Sequence, residues 1–241
     1  SVNSADFVVV DSQATATAIL EEFNLDKTDV TVVSPGAGIQ IEYILNDVCN
    51  EQLINQDYFL FVGTLEPRKN LSRLLIAYSK LSAYVREQVH LVIVGGKGWG
   101  KVDVYTMLEE LHLAKYVVIL GYVDDSNLLK LYKNAKFLAM PSLYEGFGLP
   151  ILEAMVHGIP VLTSNNSSMP EVAGNAGLFV DAKDVDSIKS SLEILITNKS
   201  VREKLAKSAK LNAERFDWHR SANELFSVFG EAVSKKDRRL L

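Results

Sequence analysis

Short apolar runs alternate with amphipathic helical segments along the chain from Tyr58 onward. Each run is apolar almost throughout, as expected for strands that are buried on both faces of a sheet. Regular alternation of such strands with helices indicates βαβ units, and therefore an α/β fold with a doubly wound, Rossmann-like parallel sheet. The pattern predicts strands at Tyr58 to Gly63, Val89 to Val94, Tyr116 to Leu120, Lys136 to Met140, Ile159 to Thr163 and Leu178 to Val180. It predicts helices at Leu71 to Leu81, Val102 to Leu111, Ser126 to Lys133, Pro150 to Val156, Asp186 to Ile196 and Val201 to Arg215.

Residues 1–56 follow this rhythm less regularly. We predict a strand at Phe7 to Val10, a helix at Ala14 to Glu22 and a strand at Val30 to Val33, after which Ser34-Pro-Gly-Ala-Gly38 interrupts regular structure. This stretch therefore contains one βαβ-like unit and an irregular connection.

The last segment has apolar residues at helical spacing and opens on Asp217, which can cap a helix. Such a helix could close the core of its own domain or pack elsewhere, and the pattern alone gives both interpretations equal weight. The short basic run from Lys235 to Arg239 is typical of a solvated tail.

Two carboxylates, Glu145 and Glu153, flank a glycine turn that follows a buried strand and leads into a helix. Glycine at positions 146 and 148 allows the backbone to approach a ligand closely. The helix that follows presents free N–H groups and its positive dipole end to an anion. This segment therefore predicts a site for a sugar joined to a phosphate.

A basic pair, Arg68 and Lys69, follows the first strand of the predicted sheet after the loop that begins at Gly63. Ligands of doubly wound sheets bind at this carboxyl edge. An arginine fork and a lysine point charge could together hold a diphosphate. The alternative is an exposed basic pair at a helix N-terminus, where the helix dipole is unfavourable for cations. We favour the binding role.

Other motifs that resemble binding sites have simpler structural interpretations. The glycine-rich stretch from Gly95 to Lys101 lacks the Ser or Thr of a nucleotide-binding P-loop, because Val102 stands there, and it is better interpreted as a turn near the ligand. Asp184 suits a helix N-cap. Glu171 opens a further predicted helix near the same edge.

The four histidines show no close pair at metal-ligand spacing, so we expect no metal dependence. His157, at the end of the helix that carries Glu153, would act there as a favourable cation near the negative end of the dipole. Tyr122 and Val123 follow the third strand of the sheet and could border a nucleotide base or simply pack in a turn.

Composition narrows the class of protein. Hydrophobic residues make up 48% and charged residues 23% of the chain, which is typical of a globular protein. A formal net charge of −5 argues against nucleic-acid binding, which requires a basic face. Cys49 is the single cysteine, so a disulfide within the chain is excluded. No apolar run approaches the ~18 to 20 residues of a membrane span, and we expect a cytoplasmic location.

The segment E-G-F-G-L-P-I-L-E, Glu145 to Glu153, resembles the signature of retaining family 4 glycosyltransferases of the GT-B fold. Several motifs agreeing in order are more specific than one short motif, which always carries a false-positive risk. The resemblance extends over the chain from Tyr58 onward. The other motifs that resemble this family, in its usual order, are Phe61 to Asn70, Gly121 to Asp124, Ala154 to Val161 and Met169 to Val172.

This resemblance implies a domain organisation. Residues 57–216 would form the nucleotide-sugar (donor) binding domain, the C-terminal half of a GT-B fold. Residues 1–56 would be a remnant of the N-terminal acceptor domain plus the interdomain linker, and residues 217–241 a C-terminal crossing helix with a basic tail. Because GT-B enzymes have two Rossmann-like domains, we expect the chain to be part of a longer protein.

The resemblance also assigns roles to residues. Arg68 and Lys69 would stabilise the departing diphosphate, Glu145 would contact the sugar near the reacting face, and Glu153 would bind the ribose hydroxyls. Backbone amides of the glycine turn would meet sugar hydroxyls and phosphate. The remaining donor-binding residues implied are Gly63, Tyr122, Val123, Gly146, Phe147, Gly148 and Leu149.

The activity implied is transfer of a hexose, with retention, from a nucleoside diphosphate sugar to a glycan or lipid-linked acceptor, without a cofactor. The residues within these motifs resemble those of mannosyl- or rhamnosyl-type enzymes of polysaccharide biosynthesis. This resemblance favours a GDP-sugar as the substrate. The acceptor would bind through the missing N-terminal domain, and peripheral membrane association of the full-length protein is a further expectation. The chain alone would bind donor but turn over poorly. A GT-B nucleotide-sugar epimerase and a noncatalytic nucleotide-sugar binding domain remain alternatives.

Overall fold

A computed structural model describes residues 7–23, 25–26, 29–37, 54–99 and 103–239, together with Val2 and Ala5, and side chains as far as Ser234. Cys49, Val102 and the connection from Gly38 onward lie outside the described residues. The strands are β1 (Val8–Val10), β2 (Val30–Val32), β3 (Tyr58–Val62), β4 (His90–Val94), β5 (Val117–Gly121), β6 (Leu138–Met140), β7 (Val161–Ser164) and β8 (Gly177–Val180).

The helices lie between these strands and at the C-terminal end. They are α1 (Gln13–Phe23), α2 (Leu71–Ser79), α3 (Ala83–Gln88), α4 (Val104–Glu110), α5 (Asp125–Asn134), α6 (Leu149–Val156), α7 (Met169–Ala173), α8 (Val185–Thr197), α9 (Lys199–Ala213) and α10 (Trp218–Arg239), with 3-10 turns at Pro67–Lys69 and Gly174–Ala176. In the part of the chain that the structure describes, no helix is long and apolar enough to cross a bilayer.

Strands β3 to β8 form one parallel sheet in the order β5-β4-β3-β6-β7-β8, and β1 pairs in parallel with β2 in a separate small sheet. The predicted doubly wound parallel sheet is confirmed. Successive connections run outward from β3 to β5, and the chain then returns to place β6 on the other side of β3. This reversal is the topological switch point, where doubly wound sheets bind their ligands.

The contact between β3 and β6 is fixed by the core. All five residues of β3 are buried, and Leu60 lies opposite Leu138 in the register. The ring of Phe59 stacks on that of Phe137 with centroids 4.8 Å apart, and meets the ring of Tyr78 edge to face at 5.3 Å. Aromatic pairs of this kind stabilise beyond their buried area. The packing therefore holds β3, β6 and α2 together just below the switch point.

Three short elements were not predicted. Helix α3 has six residues and begins after Ser82, whose hydroxyl accepts a hydrogen bond from the Val85 N–H. The 3-10 turns Pro67–Lys69 and Gly174–Ala176 have three residues each. All three elements are shorter than two helical turns, so none can show a helical period in the sequence.

Helix α10 packs on the residues that lead out of β2. The predicted cap is confirmed, because Asp217 Oδ1 accepts from the Arg220 N–H at 2.9 Å. Trp218 Nε1 donates to the Ala37 carbonyl at 2.8 Å, and the Ser221 hydroxyl donates to the Ser34 carbonyl. These contacts attach the C-terminal helix to the N-terminal segment.

Asn70 connects three loops at the carboxyl edge of the sheet. Its backbone is left-handed, with φ of 61°, and it is 3% exposed. Its side-chain amide donates to the Pro141 carbonyl at 2.8 Å and to the Ala182 carbonyl at 2.7 Å. Asparagine suits this position because it tolerates the left-handed region and offers two donors.

We expect Asn70→Ala to lower the free energy of unfolding by about 2 to 4 kcal/mol, because two buried carbonyls lose their donor and alanine disfavours the backbone conformation. Urea denaturation measures this change. Asn70→Gly removes the backbone cost and isolates the side-chain bonds. A glycine variant as stable as the unsubstituted chain would contradict the role of the amide.

Candidate functional site

The candidate site lies where the loops after β3 and β6 meet. The turn Pro67–Lys69 follows β3, and the segment from Pro141 to Gly148 follows β6. The Leu143 N–H donates to the Arg68 carbonyl at 2.8 Å, which joins the two loops through their backbones. The switch point thus brings the two sequence motifs into contact.

Glu145 is the centre of an ion cluster at this junction. It is 4% exposed, and it accepts from Lys69 Nζ at 2.8 and 3.0 Å and from Arg68 Nη1 at 2.6 Å. Arg68 Nη2 also donates to Glu66 Oε1 at 2.6 Å. The cluster therefore contains two cations and two carboxylates. The structure brings together the three residues for which a catalytic role was predicted.

Charge pairing offsets the cost of burying these groups. A buried charge without a partner is strongly unfavourable, whereas a paired and hydrogen-bonded one is tolerated. Burial by itself lowers the pKa of Arg68, but its hydrogen bonds and charge interactions with Glu145 and Glu66 raise that pKa overall. Lys69 is not an exposed basic residue, since its side chain is only 10% exposed, whereas that of Arg68 is 35% exposed.

Two glycines make room for the cluster. Gly63 has φ of 150°, and a Cβ there would lie 3.4 Å from Lys69 Cε. A Cβ on Gly95 would lie 2.0 Å from the Gly63 carbonyl oxygen, so only glycine fits. The glycine-rich turn after β4 therefore packs directly on the loop that carries Arg68 and Lys69.

The backbone of the glycine turn offers hydrogen-bond donors. Gly148 is left-handed, with φ of 100°, immediately before α6. Pro150 has no N–H, and the Ile151 N–H is used by the Gly148 carbonyl at 2.9 Å. Four further N–H groups make no hydrogen bond to any residue that the structure describes, those of Gly146, Phe147, Gly148 and Leu149. Unpaired donors at a helix N-terminus are suited to an anion.

Glu153 is not bonded to the ion cluster. Its Oε2 accepts from the Tyr132 hydroxyl at 2.9 Å, and no ion pair or hydrogen bond joins it to Arg68 or Lys69. Burial raises the pKa of Glu153, while the Tyr132 bond opposes that rise. The other carboxylate oxygen has no hydrogen-bond partner among the described residues.

Tyr122 and Val123 follow β5, the outer strand of the sheet, two strands from the cluster. Tyr122 is 83% exposed, and Val123 packs against the hydrophobic core. Both lie at the carboxyl edge, but no hydrogen bond joins them to Arg68, Lys69 or Glu145 in the described structure.

Residues 50–212 match the family model described as "Glycosyl transferases group 1". The chain belongs to this family. The O-antigen chain mannosyltransferase B of Escherichia coli is 34% identical to it over 95% of this chain and 61% of that protein. A D-inositol 3-phosphate glycosyltransferase of Corynebacterium glutamicum is 27% identical over 98% of this chain and 60% of that protein. The chain thus spans about three fifths of the length of these group 1 relatives.

Solved structures show the same fold. The sucrose-phosphate synthase of Thermosynechococcus elongatus superposes with a TM-score of 0.79 at 21% identity, over 97% of this chain and 60% of that one. HepE of Anabaena, solved in complex with UDP and glucose, also gives 0.79 at 21% identity, over 94% of this chain and 64% of that one. The predicted relation to the GT-B fold is confirmed.

Several residues that contact the candidate site were not assigned to it from the sequence. Glu66 lies inside the motif that carries Arg68, and a single acidic residue beside two cations gives no distinct signal in the sequence. The Tyr132 contact with Glu153 joins residues 21 positions apart, and the Ser12 contact with Gly146 joins residues 134 positions apart. No local pattern signals such contacts.

The predicted cationic role of His157 is wrong. It occupies the C-cap of α6, and its ring stacks on that of Tyr132 with centroids 5.8 Å apart. Burial, with a smaller effect of the Lys133 charge, lowers the pKa of His157 to about 4. The ring is therefore neutral near pH 7, because loss of hydration outweighs the helix dipole.

The buried ion cluster predicts an unequal effect of single and double substitutions. We expect Lys69→Met to lower the free energy of unfolding by about 2 to 3 kcal/mol, below the full cost of breaking a buried pair because Arg68 still contacts Glu145. Adding Glu145→Gln should recover part of that loss, since the uncompensated charge is removed. Urea denaturation measures both, with Lys80→Met as a control in a surface pair. Additive losses would contradict this account.

His157 predicts a pH dependence of stability. Its pKa is about 4 in the folded protein against an ordinary 6.5, so between these values the unfolded chain binds the extra proton. The free energy of unfolding should therefore fall as pH decreases from 6.5 towards 4. The raised pKa of Glu153 acts in the opposite direction, so the test compares His157→Gln with the unsubstituted chain. Parallel pH profiles from denaturation would refute the prediction. His219→Gln, on an exposed residue, is the control.

Proposed function

We propose that this chain is the donor-binding part of a glycosyltransferase that transfers a hexose from a nucleoside diphosphate sugar to a glycan or lipid-linked acceptor. The observation that carries the proposal is that one switch point holds both the Arg68 and Lys69 cations and four backbone N–H groups that have no partner among the described residues. Membership of the group 1 family and the named activity of its mannosyltransferase relative support it.

The cluster keeps donors for a ligand after its internal contacts are made. Lys69 Nζ has three N–H donors, and two of them bond to Glu145. The Arg68 guanidinium has five N–H donors, and three of them bond to Tyr144, Glu145 and Glu66. An incoming diphosphate can therefore share these cations with the carboxylates, and the ion pairs need not break first.

The free N–H groups of Arg68 and Lys69 favour breakage of the sugar–phosphate bond. Negative charge accumulates on the departing diphosphate, and cations and amides that meet it there stabilise the transition state more than the ground state. Glu145 is engaged by both cations, which leaves it poorly placed to act as a general base. Its proposed role is to hold the cations and to contact the sugar, while the acceptor attacks with retention of configuration.

Glu153 is proposed to bind the ribose. One carboxylate oxygen is held by Tyr132, and the other is available to accept from a hydroxyl. Carboxylates are acceptor-only groups when ionised, and ribose offers two adjacent hydroxyl donors. Tyr122 and Val123, farther along the carboxyl edge, would border the base.

The finer identity of the reaction is also proposed. A mannosyltransferase relative and the motif wording favour a mannosyl or related residue carried on GDP. The acceptor would bind to the part of the protein that corresponds to the remaining length of the relatives, and the protein would act at the cytoplasmic face of a membrane. The site would need no metal ion or cofactor.

Calorimetric titration with GDP, UDP, ADP and their sugars tests the donor site. We expect one nucleotide series to bind, and Arg68→Ala and Glu153→Ala to weaken it by about 10- to 100-fold, as for lost charge-assisted hydrogen bonds. Lys136→Ala, in a surface pair with Asp57, is the control and should bind normally. Absence of binding, or binding unchanged by both substitutions, would defeat the proposal.

A second assay separates transfer from its alternatives. Full-length protein incubated with donor alone should release no epimerised sugar, and adding an acceptor glycan should yield a glycosylated product. Epimer formation without acceptor would identify an epimerase. Donor binding without any transfer would identify a noncatalytic domain.

A further inference from the structure

Serine hydroxyls hold three consecutive carbonyls of the glycine turn from the outside. The Glu145 carbonyl accepts from Ser168 Oγ at 3.0 Å and also from Ser167 Oγ. The same Ser168 Oγ lies 2.9 Å from the Phe147 carbonyl, so its single hydrogen is shared between these two carbonyls. Between them, the Gly146 carbonyl accepts from Ser12 Oγ at 2.6 Å.

Because peptide units are planar, bonds that fix these carbonyls also fix the direction of the neighbouring N–H groups. In a trans peptide the carbonyl of one residue and the N–H of the next point in opposite directions, and the described residues contain no cis peptide. Fixing the Glu145, Gly146 and Phe147 carbonyls therefore fixes the N–H groups of Gly146, Phe147 and Gly148. These are three of the four N–H groups without a partner in the described structure.

The serines belong to two different parts of the chain. Ser168 precedes α7, next to the sheet, whereas Ser12 ends the turn between β1 and α1 in the N-terminal segment. Both are 0% exposed. Thr15 adds a second hydroxyl on the Gly146 carbonyl at 3.2 Å, and Glu171 accepts from the Gln13 N–H at 3.0 and 3.1 Å. The N-terminal segment is thus seated directly on the turn.

We infer that Ser12 and Ser168 are positioning residues that orient the amides of the glycine turn for donor binding, with Ser167 assisting at the Glu145 carbonyl. The inference rests on the proposed nucleotide-sugar site. It makes the direction of the Phe147 N–H depend on the N-terminal segment, and that of the Gly148 N–H depend on the donor-binding part itself.

Amide-resolved NMR of the ¹⁵N-labelled chain, titrated separately with GDP, UDP and ADP, tests this inference. We expect Ser12→Ala to reduce the nucleotide-induced shift of the Phe147 amide while sparing that of Gly148. Ser168→Ala should do the reverse, and Gly146 should respond only partly because Ser167 still holds the Glu145 carbonyl. Each variant should bind nucleotide about 10-fold more weakly, as for one lost oriented hydrogen bond.

Controls separate positioning from simple loss of a buried hydroxyl. Ser164 Oγ donates to the Ser142 carbonyl at 2.7 Å, and the amide of that peptide, Leu143, is already bonded to Arg68. Ser164→Ala therefore removes the same kind of bond and should leave all three turn amides responsive. Ser12→Thr keeps the hydroxyl and should restore the Phe147 response. Glu171→Gln should weaken the Phe147 response as Ser12→Ala does, by loosening the seat of α1.

The outcomes are distinguishable. Equal loss at all three amides, or no change in either serine variant while the unsubstituted chain binds nucleotide, would overturn the positioning roles and leave the donor site standing. If none of GDP, UDP and ADP shifts any amide of the unsubstituted chain, the proposed function fails and the inference fails with it. If Ser12→Ala does not fold, Ser168→Ala and Glu171→Gln still give opposite expected patterns.

Discussion

The buried carboxylate of Glu145 is the constraint on which the rest of the site depends. A carboxylate that is 4% exposed must be paired, and the cations that pair with it come from the loop of a different strand. That pairing is possible only because the sheet places β6 beside β3. The stacking of Phe59 on Phe137 fixes the strands, and Glu145 then fixes the loops above them. Core packing and site geometry are thus one continuous arrangement.

A buried ion cluster adds little net stability, because desolvation consumes most of the attraction between its charges. Its consequence is geometric. Arg68 is held by two carboxylates and a carbonyl, so its guanidinium has little freedom left to lose when a ligand arrives. Preorganised cations lose less conformational entropy on binding a ligand than mobile ones do, because they are already ordered in the folded protein. The fold therefore sets the position of charge before any ligand binds.

The sheet and its switch point could be predicted because apolar runs and helical periods are local signals. The ion cluster could be predicted only as two separate motifs, since their contact depends on strand order. The Ser12 bond to Gly146 had no signal, because it spans 134 positions between segments with unrelated patterns. The error at His157 has a different cause. The dipole argument considers only the helix end, whereas burial beside Tyr132 decides the charge of the ring.

The N-terminal segment meets the glycine turn through hydrogen bonds. The Ser12 and Thr15 hydroxyls donate to the Gly146 carbonyl, and beside them the Gln13 N–H at the start of α1 donates to the Glu171 carboxylate. A Cβ at Gly146 would lie 3.2 Å from Asp11 Oδ2, so glycine also lets this segment approach closely. The amides proposed to meet the donor are therefore oriented partly by the N-terminal segment. This gives the position of the N-terminal part a direct physical route to the affinity for the donor.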